Sequence, residues 1–130
     1  MTTGIKYLLI GLGAALGAAV RWLCETIIGK AISDPFAILC VNVAGCFIIA
    51  AVSAMVMKKR MSQAGNKFLT TGFCGGLTTF SSFASGIESL MSTNHLLVAF
   101  CYVVLNMILG LMAVAFGFYV MLGNDKQEER

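Results

Sequence analysis

Four long apolar stretches occupy most of this sequence, and they constrain its fold more than any other feature. They cover approximately residues 5–28, 36–57, 68–91 and 96–122. A transmembrane helix needs about 20 consecutive, mainly apolar residues, and each stretch is long enough. Only 12% of the 130 residues are charged and 58% are hydrophobic, which is too apolar for a water-soluble domain. The sequence therefore predicts an all-α membrane protein, with one four-helix transmembrane domain over residues 1–130.

The connections between the stretches are short. They cover approximately residues 29–35, 58–67 and 92–95, and a polar tail follows at residues 123–130. No connection has room for an enzyme domain, and no credible pair of nucleophile and base is present. We expect neither enzymatic activity nor nucleic-acid binding, so any function must be built from groups inside the helices.

Basic residues are distributed unevenly across the predicted membrane. Four spans place the N-terminus, the second connection and the tail on one side, which then carries seven of them: Lys6, Lys58, Lys59, Arg60, Lys67, Lys126 and Arg130. The other side has Lys30, apart from Arg21 within the first span. Because Lys and Arg accumulate on the cytoplasmic side, the N-terminus is predicted to be cytoplasmic, in a multi-pass protein of the cell membrane.

Two polar side chains lie inside the first two spans and call for an explanation. Arg21 either faces a vestibule, where it attracts anions, or reaches along the helix to the membrane surface. Asn42 lies among small residues, so its amide either joins two helices or donates hydrogen bonds to a desolvated anion.

The third stretch is predicted to break in mid-membrane, at residues 75–78. Adjacent glycines and threonines weaken a helix there, and the freed backbone carbonyls are natural partners for a cation. Beyond the break, Phe80 and Phe83 share a helical face. Such a pair is either ordinary packing or a source of electropositive ring edges that stabilise an anion. In the fourth stretch, Tyr102 and Asn106 share a face and either line a path or brace the bundle.

These residues together resemble the Fluc (CrcB-type) fluoride channels, over essentially the whole chain. The run from Gly72 to Ser81, with Phe83 after it, is long and highly specific. The other matching residues are Gly11, Leu12, Gly13, Gly17, Arg21, Val41, Asn42 and Gly45.

The resemblance implies passive export of cytoplasmic fluoride by an antiparallel dimer with two pores along the subunit interface. It implies a structural sodium ion held by the backbone carbonyls of Gly75 and Thr78. It also implies a pore lined by Asn42, Phe80, Ser81, Phe83 and Tyr102. Arg21 then belongs to a vestibule or to a structural hydrogen bond, because a fixed guanidinium at the narrowest point would trap the ion.

The sequence departs from the family pattern just after Phe83. A serine and then a glutamate usually follow, but Ala84 and Gly86 occupy those places here. Glu88 lies about 200° farther round a helix and cannot replace that glutamate. Ser82 stands where a threonine is usual.

The sequence leaves alternatives open for the partner subunit and for the function. The excess of basic residues on one side disfavours dual insertion, so the expected partner is either a second copy or an oppositely inserted homologue. A small four-helix drug/proton antiporter is the alternative function, although it requires a carboxylate deep in the first span and Glu25 lies near the predicted end. A membrane assembly subunit that transports nothing is the third possibility.

Overall fold

The computed structural model describes residues 2–123, and its regular elements are all helical. Lys126 and Arg130, which contribute to the predicted charge asymmetry, lie outside the described residues. The helices in chain order are α1 (Thr3–Ala31), α2 (Asp34–Met57), α3 (Gln63–Asn66), a π-helical segment (Lys67–Cys74), α4 (Gly75–Leu77), α5 (Phe80–Ser92) and α6 (Leu96–Gly123).

Three of these helices, α1, α2 and α6, are long and apolar enough to cross a membrane. The third span, predicted over residues 68–91, covers residues 63–92 in the structure and consists of two halves. Its first half is a continuous helical run over residues 63–77, and its second half is α5. At a rise of about 1.5 Å per residue, the two halves together are about as long as a membrane-spanning helix. The prediction of four spans with the third one broken is therefore confirmed.

The core of the subunit is built around α2. This helix contributes most of the buried apolar side chains, including Ala37, Val41 and Ala54. It packs along α6, where Gly117 allows close approach, since a methyl group on Gly117 would lie 2.9 Å from Ala50 Cβ. Lys58, just after α2, donates to the carbonyl of Met121 near the end of α6. The two helices therefore run in the same direction and end on the same side.

The first half of the third span packs against α1 through direct backbone contact. A methyl group on Gly13 would lie 2.9 Å from the amide nitrogen of Phe73, and one on Gly72 would lie 2.8 Å from the carbonyl oxygen of Ile10. Gly17 faces the carbonyl of Phe73 in the same way. Small residues let helices approach this closely in membranes, where dispersion and close packing drive association. The Gly13 and Gly17 face is thus a packing surface.

The break in the third span is shorter and later than the sequence predicted. Gly75, Gly76 and Leu77 remain helical, and only Thr78 and Thr79 adopt extended backbone angles. Gly76 packs against the carbonyl of Ala14, whereas a methyl group on Gly75 would meet nothing within 4 Å. Packing on α1 keeps the glycines helical, so the irregular residues are the threonines.

The first helix is longer than the apolar stretch that predicted it. It continues through residues 29–31, which were expected to be a connection, and ends at Ala31. Arg21 therefore lies ten residues before the end of α1, or nearly three turns, and Glu25 lies six residues before it. Both residues are farther from the end of the helix than the sequence indicated.

Candidate functional site

Asn42 fixes the break by pairing with the peptide groups of Thr79. The Thr79 amide donates to Asn42 Oδ1 at 3.0 Å, and Asn42 Nδ2 donates to the Thr79 carbonyl at 3.3 Å. Backbone groups freed in mid-membrane require partners, because water is scarce there. Asn42 therefore joins α2 to the third span, and its second N–H is left for another acceptor.

Thr79 immediately precedes the second half of the span, and its hydroxyl lies close to the hydroxyls of Ser81 and Ser82. Its Oγ1 accepts from the Ser82 amide at 3.2 Å, which caps α5. The same oxygen lies 3.1 Å from Ser81 Oγ and 3.4 Å from Ser82 Oγ. The predictions did not include Thr79 as a site residue, although a threonine just before a helix start is a recognisable capping signal.

A groove of about 350 Å³ lies beside the break and brings several predicted site residues together. Its lining comprises Asn42, Cys46, Ile49, Thr78, Thr79, Phe80, Phe83, Asn106 and Met107. The rings of Phe80 and Phe83 are 5.7 Å apart. Phe80 is 80% exposed, in the middle of a predicted membrane span, so its ring has no cover within the subunit. The groove thus combines amide and hydroxyl donors with aromatic edges on an open face.

Tyr102 lies behind this groove and is fully buried. Its ring stacks on Phe83 with centroids 5.5 Å apart and meets Phe36 edge-on at 6.3 Å. Its hydroxyl is buried without a hydrogen-bond partner in the described part of the chain. Asn106, one turn later, donates to the Tyr102 carbonyl at 2.8 Å, which is a bond within α6.

Arg21 turns toward α5. Its Nη1 lies 3.5 Å from Ser82 Oγ, and its Nε is buried without a partner among the described residues. The guanidinium therefore lies next to the Ser82 hydroxyl, in the first turn of α5. Arg21 is therefore directed toward α5, and its role in a vestibule or in a structural hydrogen bond stays a prediction.

The carbonyls of Gly75 and Thr78 fit the ligand set expected for a hard cation. In an unbroken helix they would accept from the amides of Thr79 and Ser82. Those amides instead donate to Asn42 Oδ1 and to Thr79 Oγ1. Gly75 is also exposed, with open space where a side chain would stand. Neutral carbonyl oxygens freed in this way suit an ion such as sodium.

A second cavity, of about 500 Å³, lies between α1, α2 and α5. Glu25, Asp34, Ser82, Ser85, Gly86 and Ser89 are among the residues that line it. Glu25 Oε1 is buried there without a partner in the described residues. The sequence did not indicate Glu25 as a site residue, because the end of the first span was placed at residue 28. We call this cavity the chamber.

Comparison with known proteins places this architecture in a family. Residues 8–118 match the family described as CrcB-like protein, Camphor Resistance (CrcB). A relative from Flavobacterium psychrophilum, named fluoride-specific ion channel FluC, is 38% identical over 114 residues, covering 85% of this chain and 92% of the relative. FluC 2 of Rhodococcus jostii is 40% identical over 111 residues, covering 85% and 94%. FluC of Parabacteroides distasonis is 39% identical over 123 residues, covering 93% and 94%.

These matches cover nearly all of the transmembrane helices described above and include both the break and the groove. The chain therefore belongs to the CrcB-like family.

Proposed function

We propose that this protein is a subunit of a passive, fluoride-selective channel that lets fluoride leave the cytoplasm. The observation that carries the proposal is the groove, in which Asn42, Thr79, Phe80 and Phe83 meet at a helix break. Relatives 38% to 40% identical to the chain are named fluoride-specific ion channels, which favours the same ion here. Channel function, without enzymatic chemistry, agrees with the short connections of the sequence.

The chemistry of the groove suits a small, strongly hydrated anion. Such an ion crosses a pore only if donors replace much of its water shell and still release it. The second Asn42 N–H and the Thr79 hydroxyl are neutral donors in the groove, and the Ser81 hydroxyl lies 3.1 Å from Thr79 Oγ1. The ring edges of Phe80 and Phe83 add weaker positive potential. Ions held by several weak groups leave more easily than an ion paired with a fixed cation.

The pore requires a second subunit, because the groove is open along one face. Phe80 is exposed in mid-span, and Gly75 has open space beside it. An antiparallel partner would cover both residues and close the groove within the bilayer. The excess of basic residues on one side favours an oppositely inserted homologue over a second copy of this chain. Placement in the cell membrane with a cytoplasmic N-terminus belongs to the same proposal.

A structural sodium ion at the break would complete this interface. The carbonyls of Gly75 and Thr78 would hold it, since both have lost their helical donors. When bound, the ion supplies a fixed positive charge between the subunits and neutralises carbonyl dipoles that would otherwise face one another. The chain itself holds these carbonyls in place through the Asn42 and Thr79 hydrogen bonds.

The test is ion efflux from proteoliposomes that contain the purified protein, alone and together with the oppositely inserted homologue. We expect fluoride efflux, and chloride efflux at least tenfold slower. Phe80→Ile should reduce fluoride efflux by about tenfold or more, because it removes a ring edge from the groove. Phe100→Ile is the matched control, since Phe100 is 67% exposed but lies outside the groove. Its efflux should equal that of the unmodified protein.

The alternatives predict different results in the same assay. A drug/proton antiporter would exchange organic cations for protons, driven by a pH gradient, and would not conduct fluoride. An assembly subunit would show no flux, with or without the Phe80 change. Equal flux of fluoride and chloride would contradict selectivity. Robust fluoride efflux by this chain alone would show that a homologous partner is not obligatory.

A further inference from the structure

The chamber has a partly polar lining, although Trp22, Pro35 and Ile38 also line it. Its lining includes the carboxylates of Glu25 and Asp34 and the hydroxyls of Ser82, Ser85 and Ser89. Asp34 begins α2 and Ser89 lies in the last turn of α5, so the chamber is at one end of these helices, where both residues are exposed. A volume of about 500 Å³ is ample for an ion with several water molecules.

Three buried side-chain atoms without hydrogen-bond partners lie in or next to this chamber. Across residues 2–123, these atoms are Arg21 Nε, Glu25 Oε1 and the Tyr102 hydroxyl. Glu25 lines the chamber, and Arg21 contacts Ser82, which also lines it. A methyl group on Gly86, another lining residue, would lie 3.2 Å from the Tyr102 hydroxyl. Unsatisfied buried groups are rare in folded proteins, so their grouping indicates a hydrated or ion-binding space.

A pair of hydroxyls connects the chamber to the groove. Thr79 lines the groove, Ser82 lines the chamber, and their Oγ atoms are 3.4 Å apart. An anion that accepts a hydrogen bond from the Thr79 hydroxyl could therefore pass directly to the Ser82 hydroxyl. Gly86 packs closely in the wall of the chamber, since a methyl group there would lie 3.2 Å from the Tyr102 hydroxyl and 3.4 Å from Pro35 Cβ.

We propose that fluoride passes through this chamber and that Glu25 limits the time it stays there. The inference rests on the proposed channel function. Arg21 attracts the anion at Ser82, and a positive charge alone would hold it. Glu25 lies four residues after Arg21 and therefore on the same face of α1, where its carboxylate opposes that attraction. The opposed charges let the anion enter the chamber and leave it again.

Neutralising Glu25 tests this inference. Removing one negative charge a few ångströms from a hydrated anion should change its occupancy by about fivefold. For Glu25→Gln, we expect half-maximal fluoride flux at a concentration about fivefold lower, together with a lower maximal flux, because the ion leaves more slowly. The measurement is efflux from proteoliposomes over a range of fluoride concentrations.

Glu88→Gln is the matched control because it removes the same charge from an exposed residue outside the chamber. It should not alter the concentration dependence. Ser85→Asp adds a carboxylate at an exposed position that lines the chamber, and it should raise the half-maximal concentration by about fivefold. This variant decides the question if Glu25→Gln does not fold.

The outcomes separate this inference from the channel assignment. Absence of fluoride flux in the unmodified protein, both alone and together with the oppositely inserted homologue, contradicts the channel itself. Normal flux with an unchanged concentration dependence in Glu25→Gln contradicts only the role of Glu25. A folded Glu25→Gln variant without any flux, an equal effect of Glu88→Gln, or an unaffected Ser85→Asp variant would also overturn the inference.

Discussion

The two halves of the third span are consecutive in sequence but are held in the fold by different means. The first half, residues 63–77, contacts α1 through glycines whose hydrogen atoms face backbone carbonyls. The second half, α5, has one buried residue, Gly86, and carries exposed side chains such as Phe80 and Ser81. The first half leaves no room for added atoms where it faces α1, whereas the second half presents donors and rings. The closely packed first half thus positions the second half, whose exposed groups can interact with an ion.

The largest effect should come from adding one methyl group to the tightly packed half. In Gly76→Ala, the new Cβ would collide with the carbonyl of Ala14 and lie 2.9 Å from its carbon. Backbone cannot move aside as a flexible side chain can, so we expect a loss of about 3 kcal/mol in the free energy of unfolding. The measurement is chemical unfolding of the monomeric subunit in detergent.

The neighbouring glycine supplies the control for this change. A methyl group on Gly75 would meet nothing within 4 Å, and Gly75 is helical. Gly75→Ala should therefore leave the stability of the monomeric subunit within about 1 kcal/mol, with a small gain from helix propensity. Equal losses for both variants would show that the two glycines do not differ in packing.

An intermediate effect is expected at the junction between the halves. Asn42→Leu removes the hydrogen bonds to the Thr79 amide and carbonyl, which are 3.0 and 3.3 Å long. The Thr79 amide and carbonyl would then lack hydrogen-bond partners, which should lower the free energy of unfolding by about 2 kcal/mol. The same unfolding assay measures the loss.

Asn106→Leu is the comparison for Asn42. The Asn106 side chain donates to the Tyr102 carbonyl, which still has its helical backbone donor when the amide is removed. We expect a loss of less than about 1 kcal/mol, within the range of one hydrogen bond. A larger loss for Asn106 than for Asn42 would contradict the role of Asn42 in holding the break.

The sequence predicts the spans well because their signal is local. Twenty apolar residues are sufficient evidence for a helix in a membrane, whatever that helix contacts. The position of the break was less predictable, since it depends on residues far away in sequence. Gly75 and Gly76 weaken a helix in isolation, but α1 keeps them helical. The break moves to Thr78 and Thr79 because Asn42, 37 residues earlier than Thr79, binds the peptide there.

The candidate site shows the same limit. Asn42, Phe80 and Phe83 were named from their types and spacing, and they line one groove. Tyr102 was named with them, but stacking on Phe83 places it behind the groove. Glu25 was overlooked because the end of an apolar stretch does not mark the end of its helix. The role proposed for Glu25 depends on the chamber, which residues of α1, α2 and α5 line.

The smallest effect should appear at the start of the second half. Thr79→Val keeps the shape of the side chain but removes the oxygen that accepts from the Ser82 amide at 3.2 Å. Loss of a helix cap costs about 1 kcal/mol, which corresponds to about fivefold faster exchange of the first α5 amides with deuterium. Thr71→Val is the control, because Thr71 is exposed in the π-helical segment of the packed half. If both substitutions accelerate exchange in α5 equally, the cap is not what holds the beginning of that helix.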